Sequence, residues 1–568
     1  MRCVLDTLER GRDRWFNMTG SLALPGWSAV RAWGLGTAAL VAAACGDSTA
    51  PPAGGGDVSL AVGQFALYTD TLISGALRFP AAGSGGAQYL IVAQSATGTG
   101  GITSAFSLTG AAGAAGAAAS ATLTPSPAGG EPSLALRFHD ALRAREARLA
   151  AEARALGVGA AAPAARVAAA PPVVGSSRTF KVCGDLDCTA LKNVVATARY
   201  VGTHAAIFVD DSAPAGGFTG SNLLQMGQQF DADLYPINRQ NFGAESDIDN
   251  NGVVIILLTP KVNALVGRPQ CNDSFITGFF FGADLAPSFR STHNSGEVFY
   301  GFVPDPGGLV SCAYSVSLVR RLIPVTFIHE FQHMISFNQH VLVRSGDTEV
   351  LWLNEALSHL AEELGGRHYD SLGIDTTASR FYIGNLYNAF KYLRDPLASP
   401  VVTETPPGEL TERGAVWLFV RYLVDRFGSQ TSRDLVSTSS LGAANVAAVT
   451  GTPFAKLLGH WALAVYASDY PGFTAPAELR YASWHFRTTF ADLHTQAPSD
   501  FDRVFPLVPF SGTGGVVSVT GTLKSGSGAY VLATQAPDGR SFELSFGPTT
   551  GGTFPSAAAA QVAVVRLR

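Results

Sequence analysis

The segment "VTFIHEFQHMISF" at residues 325–337 is the feature that constrains this chain most. Two histidines, His329 and His333, stand four positions apart, and Glu330 follows the first of them. Positions i and i+4 of an α-helix lie on one face, so the two imidazoles can share one Zn²⁺, and Glu330 can act as base toward a water molecule on the metal. The apolar neighbours predict a buried helix with Pro324 in its first turn. The alternative is a partly buried helix with unrelated histidines, and a third ligand has to decide between the two.

Catalytic zinc needs a third protein ligand and leaves a fourth position for water. His340 is one residue out of register with the third histidine of one class of zinc protease, and Asp347 and Glu349 lie in a segment typical of a solvated turn. The segment "LWLNEALSHLAEEL" at 351–364 has apolar residues at helical spacing, and Glu355 stands among them. A lone carboxylate there is costly unless it is paired or binds a metal, so Glu355 is the predicted third ligand.

Three segments together resemble a known family. They are "HEFQHMI" at 329–335, "WLNEALSHLAEEL" at 352–364 and "FGAESDIDNNGVVIILLTP" at 242–260. The first two are similar to the gluzincin metallopeptidases, the thermolysin-like and aminopeptidase-like group, and the three together most closely resemble the hyicolysin family of secreted bacterial metalloendopeptidases. The resemblance covers about residues 180–470.

The resemblance implies a thermolysin-like α+β protease domain in which His329, His333 and Glu355 bind zinc and Glu330 is the catalytic base. His359 departs from the pattern, because thermolysin-like enzymes have Asp at this position. It lies four residues after Glu355, on the same helix face, so a hydrogen bond to a zinc histidine or to the ligand carboxylate is predicted. A surface histidine is the equally weighted alternative.

The oxyanion of the transition state requires a further hydrogen-bond donor. Related enzymes supply a Tyr or His from a later helix. Four residues of this chain qualify, and the sequence does not choose among them or exclude that they are core aromatics: Tyr382, Tyr387, Tyr392 and His460.

The segment "SDIDNNG" at 246–252 matches the beginning of an oxygen-rich calcium loop. Asp247, Asp249 and Asn251 are spaced by two and are followed by a glycine. Leu258 stands where such a loop has its Glu, so the alternative is a polar turn before a strand.

The N-terminal segment predicts export. Arg31 precedes an apolar stretch of about ten residues, which is the size of a signal peptide rather than of a membrane span. The stretch ends in "LVAAAC" at 40–45 and resembles a bacterial lipoprotein signal with Cys45 as the lipidated residue, although Ala42 replaces the usual Leu. An ordinary signal peptide cleaved near Ala44 is the alternative.

Four further cysteines predict two disulfides, as expected in an exported chain. They allow three pairings, of which we favour Cys183 with Cys188 and Cys271 with Cys312.

Composition and patterning divide the chain into segments. Strands precede helices in the central part, which predicts an α+β domain. The helix predicted at 132–157 belongs to a propeptide, a stalk or a clamp on the next domain. The predicted segments are a signal peptide (1–45), a linker (46–56), a small β-domain (57–130), a helix with an Ala/Pro linker that is a candidate propeptide (131–177), the protease domain (178–475) and a C-terminal β-sandwich (495–568).

The overall expectation is an exported, monomeric zinc metalloendopeptidase that acts on proteins or peptides. The net charge of −5 without pooled basic charge argues against a nucleic-acid partner, and membrane contact is expected only through an N-terminal lipid. One alternative is a zinc aminopeptidase, although no Gly-rich acidic motif precedes the histidines between 290 and 328. The other is an inactive surface-binding lipoprotein.

Overall fold

The computed structural model describes residues 56–69, 75–112, 120–122, 133–155, 170–286, 292–403 and 409–568. The predicted signal peptide, Cys45 and nearly all of the linker lie outside the described residues. The chain combines helices and sheets, which confirms the α+β class.

The strands are β1 (Phe65–Thr69), β2 (Leu77–Phe79), β3 (Ala87–Ser95), β4 (Thr103–Ala112), β5 (Ser120–Thr122), β6 (Ser177–Cys183), β7 (Leu191–Val201), β8 (Ala205–Asp210), β9 (Val254–Leu258), β10 (Gly278–Phe280), β11 (Val298–Gly301), β12 (Phe510–Thr513), β13 (Val517–Lys524), β14 (Gly528–Gln535), β15 (Phe542–Pro548) and β16 (Ala560–Arg566). The α-helices are α1 (Leu134–Ala155), α2 (Gly220–Gln229), α3 (Tyr235–Phe242), α4 (Pro260–Ala264), α5 (Val316–Phe337), α6 (Leu351–Ser371), α7 (Asp375–Arg394), α8 (Leu410–Phe427), α9 (Thr431–Val436), α10 (Gly442–Thr450), α11 (Phe454–Ala467) and α12 (Phe486–Gln496).

A six-stranded sheet with the order β10-β11-β9-β8-β7-β6 supports the central part of the chain. Strands β8, β9 and β11 are parallel, and every residue of β9 is buried, as expected for a strand covered on both faces. Strand β10 pairs antiparallel with β11 and forms one edge of the sheet. Two disulfides, Cys183–Cys188 and Cys271–Cys312, join the favoured cysteine pairs.

Helix α5 carries the two histidines of the opening motif and packs against the edge strand β10. It begins at Val316, where the Ser315 side chain accepts a hydrogen bond from the Leu318 N–H at 3.2 Å. The prediction that Pro324 occupies the first turn is therefore wrong, because this serine cap begins the helix two turns earlier. Pro324 lies inside the helix, where it has no N–H to donate.

Helices α6, α7 and α8 pack on one another beside α5. Gly366 permits the close contact of α6 with α7, because a Cβ atom at this position would lie 2.4 Å from the Tyr382 ring.

The terminal strands interleave in two five-stranded sheets, with the orders β1-β16-β3-β14-β12 and β2-β15-β4-β13-β5. Each sheet takes strands from both ends of the chain. The expected pair of separate flanking β-domains is therefore not confirmed, because alternating polarity identifies strands but not their partners. The first sheet also contacts α11, where the Gln561 side chain donates to the Ala455 carbonyl at 3.0 Å.

Among the residues that the structure describes, no helix has the length and apolar character required to cross a bilayer.

Candidate metal centre

The structure brings the three predicted zinc ligands together between α5 and α6. The Nε2 atoms of His329 and His333 lie 3.2 Å apart. The Glu355 carboxylate approaches these two nitrogens through different oxygens, with Oε2 at 3.7 Å from His329 and Oε1 at 3.6 Å from His333. All three side chains are buried, and their ligand atoms lie within 4.8 Å of one another.

Hydrogen bonds on the far side of each imidazole fix how the rings face the cluster. His329 Nδ1 lies 2.7 Å from Glu362, whose carboxylate accepts, and His333 Nδ1 lies 3.0 Å from the Asn354 side-chain oxygen. Both Nδ1 atoms therefore carry the proton, and in the neutral rings both Nε2 lone pairs face Glu355. Two imidazole lone pairs and the unpartnered Glu355 Oε1 that face one another suit a bound cation.

The spacing of these acceptors fits zinc. Ligand atoms at about 2.0–2.1 Å from a tetrahedral zinc lie roughly 3.3–3.4 Å from one another, close to the observed 3.2, 3.6 and 3.7 Å. Glu355 Oε1 is also buried without a hydrogen-bond partner among the described residues. Burial by itself lowers the pKa of His329, but Glu362 raises it above its usual value, so the site stabilises positive charge.

Glu330 lies beside this cluster, next in sequence to His329. Its Oε2 accepts a hydrogen bond from the Phe280 N–H of β10 at 2.8 Å, and the side chain is only 2% exposed. Burial raises the pKa of Glu330 above its usual value, although the neighbouring His329 partly offsets this effect. The carboxylate is thus held in place by the edge strand and is more basic than an exposed one.

Two residues next to Glu355 were not predicted from the sequence. Arg413 of α8 donates to Glu355 Oε2 at 2.9 Å. Burial alone would raise the pKa of Glu355, but Arg413 and the two histidines hold it well below its usual range. His139 of α1 interacts electrostatically with Arg413 and Glu355; burial first, and then Arg413, lower its pKa to about 3.

Glu362 is the other residue that the sequence analysis missed. It lies between His329 and His359, which approach its two carboxylate oxygens at 2.7 and 3.3 Å. Burial would raise the pKa of Glu362, but His359 and His329 lower it to about 2. His359 therefore shares Glu362 with His329 and also packs edge-on against the His329 ring, with the ring centroids 5.1 Å apart. Glu362 is seven residues after Glu355 and so shares its helix face, a signal that could have found it.

The four candidate oxyanion donors lie in aromatic surroundings. Tyr382 packs edge-on against Trp484, Tyr392 stacks on Trp461, Tyr387 contacts Phe501, and His460 contacts Phe65. Their role in catalysis stays a prediction.

The alternative third ligands lie elsewhere. His340 and Glu349 face each other at 3.9 Å, and the Gly442 N–H donates to Glu349. Asp347 forms an ion pair with Arg154 at 2.5 Å.

The predicted calcium loop gains a carboxylate from a distant segment. Glu297, immediately before β11, lies with Asp247 and Asp249 in a group whose ligand atoms are within 4.8 Å of one another. Glu297 is 1% exposed, and its Oε2 has no hydrogen-bond partner in the described part of the chain. Asn251 instead donates its side-chain N–H to Asp249 at 2.9 Å. Arg178 lies 3.8 Å from Asp249 and neutralises part of the charge.

Two histidines and a glutamate that converge beside a second buried glutamate define a candidate metallohydrolase centre. No protein-family model matches the chain. Over 175 residues it is 27% identical to a curated protein named neutral metalloprotease ShpI, from Staphylococcus hyicus. The match covers 30% of this chain and 36% of that protein, so the chain spans about a third of its relative's length. The chain thus has a distant, partial homologue among the metalloproteases, and its His-His-Glu cluster suggests a bound metal.

Proposed function

We propose that this chain is an exported zinc metalloendopeptidase with a thermolysin-like catalytic domain. The observation that carries the proposal is the convergence of His329, His333 and Glu355 on one point, with Glu330 next to it. The distant metalloprotease homologue supports the same class. The two disulfides suit an oxidising compartment outside the cytoplasm. Lipidation of Cys45 stays a prediction.

A zinc ion held by the three ligands would supply Lewis acidity toward a water molecule and a peptide carbonyl. Glu330 takes a proton from the attacking water and delivers it to the leaving amine nitrogen. The Phe280 N–H orients its carboxylate, and the raised pKa makes Glu330 a better base near neutral pH. Glu362 and Asn354 hold the two imidazoles so that their Nε2 atoms face the metal position.

Casein hydrolysis by the purified full chain, with and without a chelator, tests this function. Hydrolysis that persists after the metal is removed contradicts it. The cleavage products also separate the alternatives, because an aminopeptidase releases single N-terminal residues whereas an endopeptidase produces internal fragments. A chain that binds zinc but cleaves nothing, even at a low rate, would favour the surface-binding alternative.

Replacing Glu362 by Gln should weaken zinc binding by about 10- to 100-fold, as is typical for the hydrogen-bond partner of a metal-bound histidine. The amide accepts a weaker hydrogen bond from His329 Nδ1 than the carboxylate does. Zinc affinity is measured by competition with a chromogenic chelator. Asp370→Asn removes a carboxylate from the same helix away from the cluster and serves as the matched control. Equal affinities for Glu362→Gln and Asp370→Asn would remove Glu362 from the site.

We further propose that Asp247, Asp249 and Glu297 bind a calcium ion. The support is the grouping of three carboxylates around the buried, unpartnered Glu297 Oε2. Burial raises the pKa of Glu297 to about 7, so without a cation its charge is poorly stabilised. Hard oxygen ligands of this kind are the ones that calcium prefers.

Saturating calcium should therefore raise the melting temperature of the chain by about 3 °C or more, because a ligand that binds only the folded state stabilises it. Glu297→Gln should abolish this increase, whereas Asp187→Asn, an exposed change of the same charge, should retain it. A melting temperature that calcium does not change in the unmodified chain would exclude the site.

A further inference from the structure

Helix α1 lies on the edge strand β10, beside the candidate metal centre. Arg143 donates from Nη2 to the Phe280 carbonyl at 2.8 Å, and the Gly282 N–H donates to Glu146 at 2.6 Å. The ring of Phe138 meets that of Phe279 edge-on at 4.9 Å. The helix therefore contacts the same short segment whose Phe280 N–H holds Glu330.

The side chains of α1 provide the hydrogen-bond donor and acceptor that the backbone of an extended peptide would provide at this edge of the sheet. A peptide that adds to a sheet edge accepts hydrogen bonds from the outward N–H groups of the edge strand and donates hydrogen bonds to the outward carbonyls of that strand. Glu146 provides the acceptor, and Arg143 provides the donor. The two side chains form an ion pair at 2.7 Å and are nearly fully buried, at 6% and 2% exposure.

The proposed catalytic groups are closed off from a protein substrate in this arrangement. His329, Glu330, His333 and Glu355 are between 1% and 7% exposed. The cavity that reaches Glu355 from the side of Arg413, which Asp140 of α1 helps to line, has a volume of about 20 Å³. That volume suffices for about one water molecule, so a peptide does not reach Glu355 through this cavity.

We propose that α1 is an internal inhibitory segment: it occupies the substrate edge of the sheet in most molecules, and the full chain cleaves a protein only in the fraction from which α1 has transiently left. This inference rests on the proposed peptidase function. It assigns the predicted helix to a regulatory role rather than to a stalk.

The strand topology shows that α1 cannot leave as part of a discarded N-terminal propeptide. Strand β3 precedes α1 in sequence and lies between β14 and β16, with which it pairs over its whole length. Strand β4 likewise pairs with β13 and β15. Removal of α1 together with all residues before it would take β3 and β4 away and break both five-stranded sheets. Activation must therefore displace or excise α1 and leave the strands before it in place.

The zinc-loaded full chain with Glu146→Ala provides the test. Loss of Glu146 leaves Arg143 buried without its partner and the Gly282 N–H without an acceptor, which weakens the docking of α1. Casein hydrolysis should rise by about tenfold or more, since removal of one partner of a buried ion pair shifts an equilibrium by at least that factor. Arg148→Ala, at an exposed position of the same helix, is the matched control and should change nothing.

Hydrogen exchange of the amides in residues 134–155 is measured in parallel. Faster exchange confined to α1 together with faster hydrolysis supports the inference. Faster exchange of α1 with casein hydrolysis equal to that of the unmodified chain overturns it and leaves the peptidase function intact. Zinc-loaded protein that shows a released α1 but cleaves nothing overturns the peptidase function itself. If Glu146→Ala exposes amides throughout the chain, Leu142→Ala takes its place, because Leu142 anchors the same helix without a charge.

Discussion

Replacing Glu330 by Gln is expected to reduce casein hydrolysis by about 10²- to 10⁴-fold, the usual contribution of a general base, while one zinc per chain stays bound. The amide keeps the size of the side chain and can still accept the hydrogen bond from the Phe280 N–H, but it cannot take a proton from water. Initial rates of casein hydrolysis and metal analysis on the same samples measure both effects.

Glu152→Gln is the matched control for this experiment, because it makes the same chemical change at an exposed position of α1. Hydrolysis by Glu330→Gln at the rate of this control would show that another group is the base. Loss of zinc from Glu330→Gln would instead show that Glu330 supports the metal.

Replacing Glu355 by Gln is expected to weaken zinc binding by roughly 100-fold or more, since four ligands together provide about 10–16 kcal/mol in structural zinc sites. Hydrolysis at limiting zinc should fall in proportion. The substitution also leaves Arg413 buried beside a neutral amide, and breaking a buried ion pair typically destabilises a fold by about 3–5 kcal/mol.

A second pair of variants separates the loss of the ligand from the loss of stability. Arg413→Gln should destabilise the chain but retain zinc, because Glu355 still faces the two histidines. Glu355→Gln with Arg413→Gln should recover stability but not zinc. Zinc affinity measured by chelator competition, with melting temperatures on the same proteins, distinguishes the two effects. Full zinc affinity in Glu355→Gln would require a different third ligand.

Much of the site could be predicted from the sequence because its residues lie on two helices with local spacing rules. His329 and His333 are one turn apart, and Glu355 stands in an apolar helix where an unpaired acid is unfavourable. Arg413 could not be predicted in this way, because it is 58 residues from Glu355 and only the packing of α8 against α6 brings them together.

In the fold, too, features that depend on local sequence patterns could be predicted, whereas contacts between residues far apart in the sequence could not. The α+β class, which the order of strand and helix patterns predicts, is confirmed. The pairing of β3 with β14 and β16 joins residues more than 400 positions apart, for which a strand pattern carries no signal. The position of α1 beside the candidate metal centre likewise depends on the Arg143 and Glu146 contacts with β10.

We propose above all that His329, His333 and Glu355 hold one zinc ion that is required for peptide-bond hydrolysis. The most direct measurement is a zinc titration of the chelator-treated full chain, followed by casein hydrolysis. We predict that hydrolysis is absent without metal and rises linearly to a plateau at about one zinc per chain, the content of a mononuclear site. Hydrolysis that is already present in the metal-free chain, or that does not respond to zinc, would contradict the claim.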